Sequence, residues 1–218
     1  MVVSAHLVFL IDTSAVANAA YYLSRFRDLS GPAYVDEVSQ ALMATKTELE
    51  QALDLLDLSV SVITYGASSV VRVPAVPIQR FVPPDLQPSG DGEVRSALQL
   101  VAEIVSDCEQ PSDLRPLVIW IYFSEPPDRY IDTWVSLRGD MDFLAVGDAN
   151  PELSIARNLT GWMGWDAAIP IERLAGTVAN YYRASLGLEE FDVNLRSLFP
   201  RPPKLPPRED LELLGFDW

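Results

Sequence analysis

"AHLVFLID", residues 5–12, is an unbroken apolar run that ends on a carboxylate and passes directly into Thr13 and Ser14. A strand with one wet face alternates apolar and polar residues, whereas a continuous run fits a strand buried on both faces, the position of a central strand in a parallel sheet. Asp12, Thr13 and Ser14 then place oxygen-bearing side chains at the end of that strand, on the edge where open α/β sheets bind their ligands. Val16 stands where a further hydroxyl would extend the series. The question is whether this is half of a metal site or what is left of one.

Working outward, residues 15–28 ("AVANAAYYLSRFRD") suit a first helix closed by "LSGP". A second helical segment carries Val35, Val38, Leu42, Leu49, Leu53 and Leu56 at helical spacing. "LSVSVITYG" (58–66) and "SVVRVPAV" (69–76) are rich in β-branched residues and separated by a few small ones, which predicts two neighbouring antiparallel strands. Prolines and glycines make 79–93 a loop, and a helix resumes at Val94 with Ala97, Leu98, Val101, Ile104 and Val105 on one face. "RPLVIWIYF" (115–123) and "MDFLAVG" (141–147) read as strands flanking a short helix around 130–138. A helix over 151–161 and a strand fragment with a last helix within 169–187 complete the series.

Strands alternating with amphipathic helices predict a three-layer α/β sandwich: a mostly parallel central sheet with one antiparallel edge strand and helices on both faces. Right-handed crossovers place Asp12, Ser124 and Gly147 on one edge. The 218 residues suit one domain, residues 1–190, followed by a proline-rich, acidic-hydrophobic tail, 191–218.

The chain has 31 acidic and 16 basic residues, net −15. Such a field repels phosphate backbones and anionic lipid, so neither nucleic acid nor membrane is an expected partner, and basic protein surfaces or cations suit it better. Cys108 is the only cysteine, which rules out an internal disulfide and makes a cytoplasmic location the expectation. The apolar N-terminal run is shorter than the about 20 residues of a membrane span and lacks a basic leader. His6 is the only histidine and reads as an edge or core residue. No nucleophile-elbow or phosphate-loop motif is present, so no catalytic residue is assigned and an enzyme is not expected.

The order of segments resembles a von Willebrand factor type A (vWA) domain, and within it the TerY-like branch associated with tellurite resistance and stress clusters. The resemblance spans roughly residues 5–186 through "HLVFLIDTS", "VSVITYGASS", "RFVPPDLQPSGDGEVRSALQLV", "RPLVIWIYFSEPPD" and "FLAVGDANPELSIARNLTG", of which "VPPDLQPSGDGEVRSAL" is the most specific. It implies a divalent cation site, commonly Mg²⁺, in which one loop supplies Asp-x-Ser-x-Ser, a second a Thr and a third an Asp. Mg²⁺ is a hard ion that takes near-octahedral oxygen ligands.

Mapped onto that pattern, Asp12 and Ser14 match, Val16 replaces the second serine, Gly92 falls at the threonine, and Tyr122 and Phe123 fall at the Thr-Asp of the third loop. Three of the five oxygen suppliers are missing, and an aromatic ring at Phe123 supplies none while shielding the remaining carboxylate. The resemblance therefore implies a degenerate site with no cofactor. Asp12 and Ser14 then serve as local caps or acceptors of backbone N–H groups. The alternative is a substituted Mg²⁺ site that recruits Asp91 or Glu93 and Glu125 or Asp128.

"GWMGWD" (161–166) sets Trp162 and Trp165 around a glycine, either as packing or as a contact surface. The tail, from residue 195, carries "PRPPKLPPR", which favours an extended polyproline II path, and then five large apolar residues among its last eight. Leu211, Leu213, Leu214, Phe216 and Trp218 are expected to be buried against this domain or a partner. "PKLPPR" also has a P-x-x-P-x-R form, for which an SH3-like partner is a minor reading.

The functional expectation is a non-catalytic protein-interaction scaffold in a bacterial stress or defence assembly. Its partners are proteins, including a kinase or phosphatase of the kind that accompanies such domains. Candidate contacts are Asp91, Glu93, Glu125, Trp162, Trp165, Leu213, Leu214, Phe216 and Trp218. The alternative function is a metal-dependent adhesion module.

Overall fold

The computed structural model describes residues 2–17, 34–52, 56–107, 112–123, 130–137, 139–147 and 169–188. Among these residues five strands form one sheet: β1 (Val3–Asp12), β2 (Leu56–Tyr65), β3 (Val70–Pro77), β4 (Leu117–Tyr122) and β5 (Asp142–Gly147). Their order is β3-β2-β1-β4-β5, so the opening apolar run is indeed the central strand. β1 pairs in parallel with both β2 and β4, β4 pairs in parallel with β5, and β3 runs antiparallel at one edge.

Among the described residues the longer helices are α1 (Tyr34–Ala52), α2 (Arg95–Ser106), α3 (Ile131–Leu137) and α4 (Leu174–Ser185). Because successive side chains of a strand point to opposite faces, β1 serves two cores. Leu7, Phe9 and Ile11 pack with Val38, Leu42 and Leu49 of α1 and Leu174, Val178 and Tyr182 of α4. Val8 and Leu10 pack with Ala97, Leu98 and Val101 of α2 and Trp134 of α3. This is the three-layer sandwich expected from the alternation of elements.

Two local assignments are corrected. Leu56 opens β2, opposite Val3, and is not part of α1; its spacing fits a helix, but an apolar residue buried in a strand leaves the same mark. Ile78–Arg80 forms a 3₁₀ turn where residues 79 and 80 were read as loop. The expected strand fragment near 169 is one parallel bridge, Ile169 to Val146. Ala15–Ala17 are helical, as expected for the start of the first helix. The remainder of that helix, the helix expected at 151–161, Cys108 and the tail from 191 lie outside the described residues. No helix among the described residues is long and apolar enough to cross a membrane.

Candidate functional site at the carboxyl edge of the sheet

Parallel pairing aligns the carboxyl ends of β1, β2, β4 and β5, so Asp12, Tyr65, Tyr122 and Gly147 finish on one edge. Asp12, Thr13 and Ser14 are buried there, each less than 5% exposed. Asp12 Oδ1 accepts the Ser14 N–H at 2.9 Å, which turns the chain out of the strand. Ser14 Oγ accepts the Ala17 N–H at 2.9 Å, the bond of a helix N-cap. Thr13 faces the other way, and both its N–H and its hydroxyl donate to the Tyr65 carbonyl, at 2.8 and 3.1 Å.

The second loop is stitched to the first through its backbone. Ser89 N–H donates to the Thr13 carbonyl (2.7 Å), Ala15 N–H to the Gly90 carbonyl (3.0 Å) and Gly92 N–H to the Gly66 carbonyl (3.2 Å). Glycine permits this closeness. Gly90 has φ +67°, and a Cβ on it would lie 2.3 Å from the Ala67 backbone. Gly92 has φ +86°, and its Cβ would sit 2.9 Å from Ser14 Cβ and 3.4 Å from Asp12 Oδ1. Gly92 thus lies directly against Asp12 and Ser14, the place a side-chain hydroxyl would occupy, and contributes no side-chain donor. Asp91 and Glu93, on either side, are exposed and line a shallow polar concavity of about 370 Å³ with Ser68, Ser69 and Ser96.

Aromatic rings fill the space between the edge and the cores. Phe123, just past β4, is buried and meets Tyr34 edge to face at 4.9 Å, while Tyr34 donates its hydroxyl to the Asp12 carbonyl at 2.7 Å. On the other face Trp120 Nε1 donates to the Tyr65 hydroxyl at 2.9 Å and stacks edge-on against Tyr130. Burial, reinforced by the nearby Asp12 charge, pushes the Tyr65 phenol well above its ordinary range, so it stays protonated. Tyr34, Gly66, Gly90, Tyr65 and Trp120 were not singled out from the sequence. A tyrosine opening a helix and glycines beside "ASS" and "SGDGE" were visible, but nothing local says what they approach.

A divalent cation of the vWA type needs a nearly complete oxygen shell. Facing Gly92 are one carboxylate, Asp12, and one hydroxyl, Ser14, each accepting a backbone N–H. Gly92 and Phe123 add no side-chain oxygen, and Val16 is half exposed in the helix turn. Among the described residues no group of three or more His, Cys, Asp or Glu side chains is placed to hold a metal ion. This set does not by itself fit the ion. Glu125 and Asp128, Trp162 and Trp165, and Leu213, Leu214, Phe216 and Trp218 lie outside the described residues.

His6 sits inside β1, away from this edge. Its Nε2 lies 2.9 Å from Ser61 Oγ of β2, and burial lowers its pKa to about 4, which holds it neutral.

No protein-family model matches the sequence, and no curated protein does. Solved structures do. The VWA domain of SpRpn10 superposes with a TM-score of 0.54 at 12% identity, covering 83% of this chain and 95% of that one. A variant of the PilB minor pilin from Streptococcus sanguinis gives 0.57 at 12% identity, covering 88% of this chain and 63% of that one. Manganese-loaded TRAP protein from Plasmodium vivax gives 0.51 at 14%, covering 72% of this chain and 63% of that one. At these identities the likeness concerns the course of the backbone, and together with the sheet order and the two helical layers it identifies the fold of this chain as that of a von Willebrand factor type A domain.

Proposed function

We propose that this chain is a protein-interaction module that engages its partner through the loops of the sheet's carboxyl edge without a coordinated cation. The observation that carries this reading is the contact of Gly92 with Asp12 and Ser14: the polar atoms that remain are engaged with the backbone, and the position facing them has no side chain. Asp12 then acts as an internal brace for the turn. Contact with a partner falls to the exposed side chains around it, Asp91 and Glu93 first. With a net charge of −15, a partner presenting a basic surface is favoured.

The finer reading is a non-catalytic scaffold of the TerY-like kind in a bacterial stress or defence assembly, acting in the cytoplasm. Kinase or phosphatase partners belong to that reading through the segment resemblance. A metal-dependent adhesion module is the second reading, favoured by the exposure of Asp91 and Glu93 beside Gly92. Calorimetric titration with Mg²⁺ and Mn²⁺ separates the two. The proposal expects no saturable heat with either ion, and saturable binding that disappears in Asp12→Ala would replace it with the second.

A further inference from the structure

The amino edge of the sheet lies opposite the loops proposed to meet a partner, and β1, β2, β4 and β5 begin there. Val3 pairs with Leu56, and Leu114 is tied to the same corner by its N–H, which donates to the Ser4 carbonyl at 3.2 Å. α4 ends at this edge too: Tyr181 donates its hydroxyl to Asp142, the first residue of β5, at 2.6 Å. Val3, Leu114 and Leu186 are half-buried, and all three pack against the core cluster beneath α1 and α4. Val2 and Leu188, near them in the chain, are 60% and 55% exposed. An apolar rim is left open around the end of α4.

The chain leaves α4 beside this rim. Gly187, at φ +69°, donates its N–H to the Ala184 carbonyl and Leu188 its own to the Arg183 carbonyl, both at 2.9 Å, a turn that takes the backbone off the helix axis. We propose that the rim is covered by the residues that follow, 191–199 ("FDVNLRSLF"), folded back on their own domain. Five of these nine are large and apolar, and Phe191, Leu195, Leu198 and Phe199 fall at i, i+4, i+7 and i+8, the spacing of one helix face. Glu189, Glu190 and Asp192 suit the start of such a helix and Arg196 its last turn, while Pro200 closes it. A helix this short is marginal alone in water, so its apolar face needs a surface. Tethering selects which one. Phe191 is three residues beyond Leu188 and cannot lie more than about 11 Å from it. The rim is therefore reached at little entropic cost, and a second copy competes at a lower effective concentration.

Hydrogen exchange of the full chain, read by mass spectrometry on fragments covering residues 191–199, tests this. The expected result is exchange about tenfold slower than in a free peptide of residues 187–201, unchanged by about hundredfold dilution of the chain. Leu114→Ser with Leu188→Ser is expected to return the segment to the rate of the peptide. Leu195→Ser with Leu198→Ser is expected to do the same and also to speed exchange of the Asp113 and Leu114 amides at the rim. This second variant leaves the described residues untouched and decides the matter if the first is unstable. Peptide-like exchange in the unmodified chain overturns the proposal, since the rim then has another occupant. Protection that survives either variant, or rim amides indifferent to the tail variant, overturns it as well. Protection lost on dilution does so too, because the occupant is then a second copy.

Discussion

The two ends of β1 use the same chemistry in opposite surroundings. At its start Ser4 donates both its N–H and its hydroxyl to Asp113 Oδ2, at 2.8 and 2.9 Å, in water. These bonds hold the Asp113 carboxyl below its usual range. At its finish Asp12 accepts the Ser14 N–H out of water, under an aromatic cover and a glycine-lined loop. A serine and an aspartate bonded in solvent exchange one set of partners for another on unfolding. The buried pair is hydrated on unfolding as well, but removing one of its partners while the fold persists strands the other out of water. The difference teaches that the carboxyl edge is built into the fold and is not a detachable appendage of it.

The strongest way to break the comparison is to force the buried loops apart. Gly90→Ala places a Cβ against the Ala67 backbone at positive φ and is expected to destabilise the fold by about 4 kcal/mol, measured by urea unfolding. A loss below about 1 kcal/mol would mean that the edge yields as freely as the exposed end.

Between the two ends lies His6, and acid sharpens the contrast there. Unfolded, the imidazole binds a proton below about pH 6.5, whereas the folded form refuses it until about pH 4. Its contribution is therefore complete above pH 6.5 and is lost as pH falls to 4, by up to about 3 kcal/mol. The carboxylates titrate over part of the same window, so the measurement is the difference in slope between the unmodified chain and His6→Gln, which is expected to be flatter.

The smallest effects come from the two aspartates themselves. Asp12→Ala strands the buried Ser14 N–H and is expected to cost about 2 kcal/mol, with Asp12→Asn recovering most of it by keeping an acceptor. Asp113→Asn, bonded in solvent, is expected to shift the unfolding midpoint least of all these variants. Equal shifts for Asp12→Ala and Asp113→Asn would erase the distinction between the ends.

The fold was legible because its strands announce themselves. Leu117–Tyr122 and Asp142–Gly147 are apolar runs too continuous for any but buried strands, and β3 follows β2 after a few small residues. Leu56 was misplaced because its apolar character suits α1 and β2 equally. At the candidate site, Asp12, Ser14 and Gly92 were brought together by resemblance to a known pattern of loops, since nothing in their spacing requires residue 92 to face residue 14. What stayed hidden was long-range. Tyr34 reaches Asp12 across 22 residues, and Trp120 reaches Tyr65 across 55. The partners of a polar group inside an aromatic layer are chosen by packing, and packing has no local signature.

One consequence belongs to the far border of the sheet. β3 is its antiparallel edge strand among the described residues, and it contains Pro74 and Pro77. Each imino ring withholds an amide hydrogen that an incoming chain would need, so accretion of foreign strands on this side is discouraged. The molecule can therefore expose a valine-rich ribbon at this border without inviting fibrous growth.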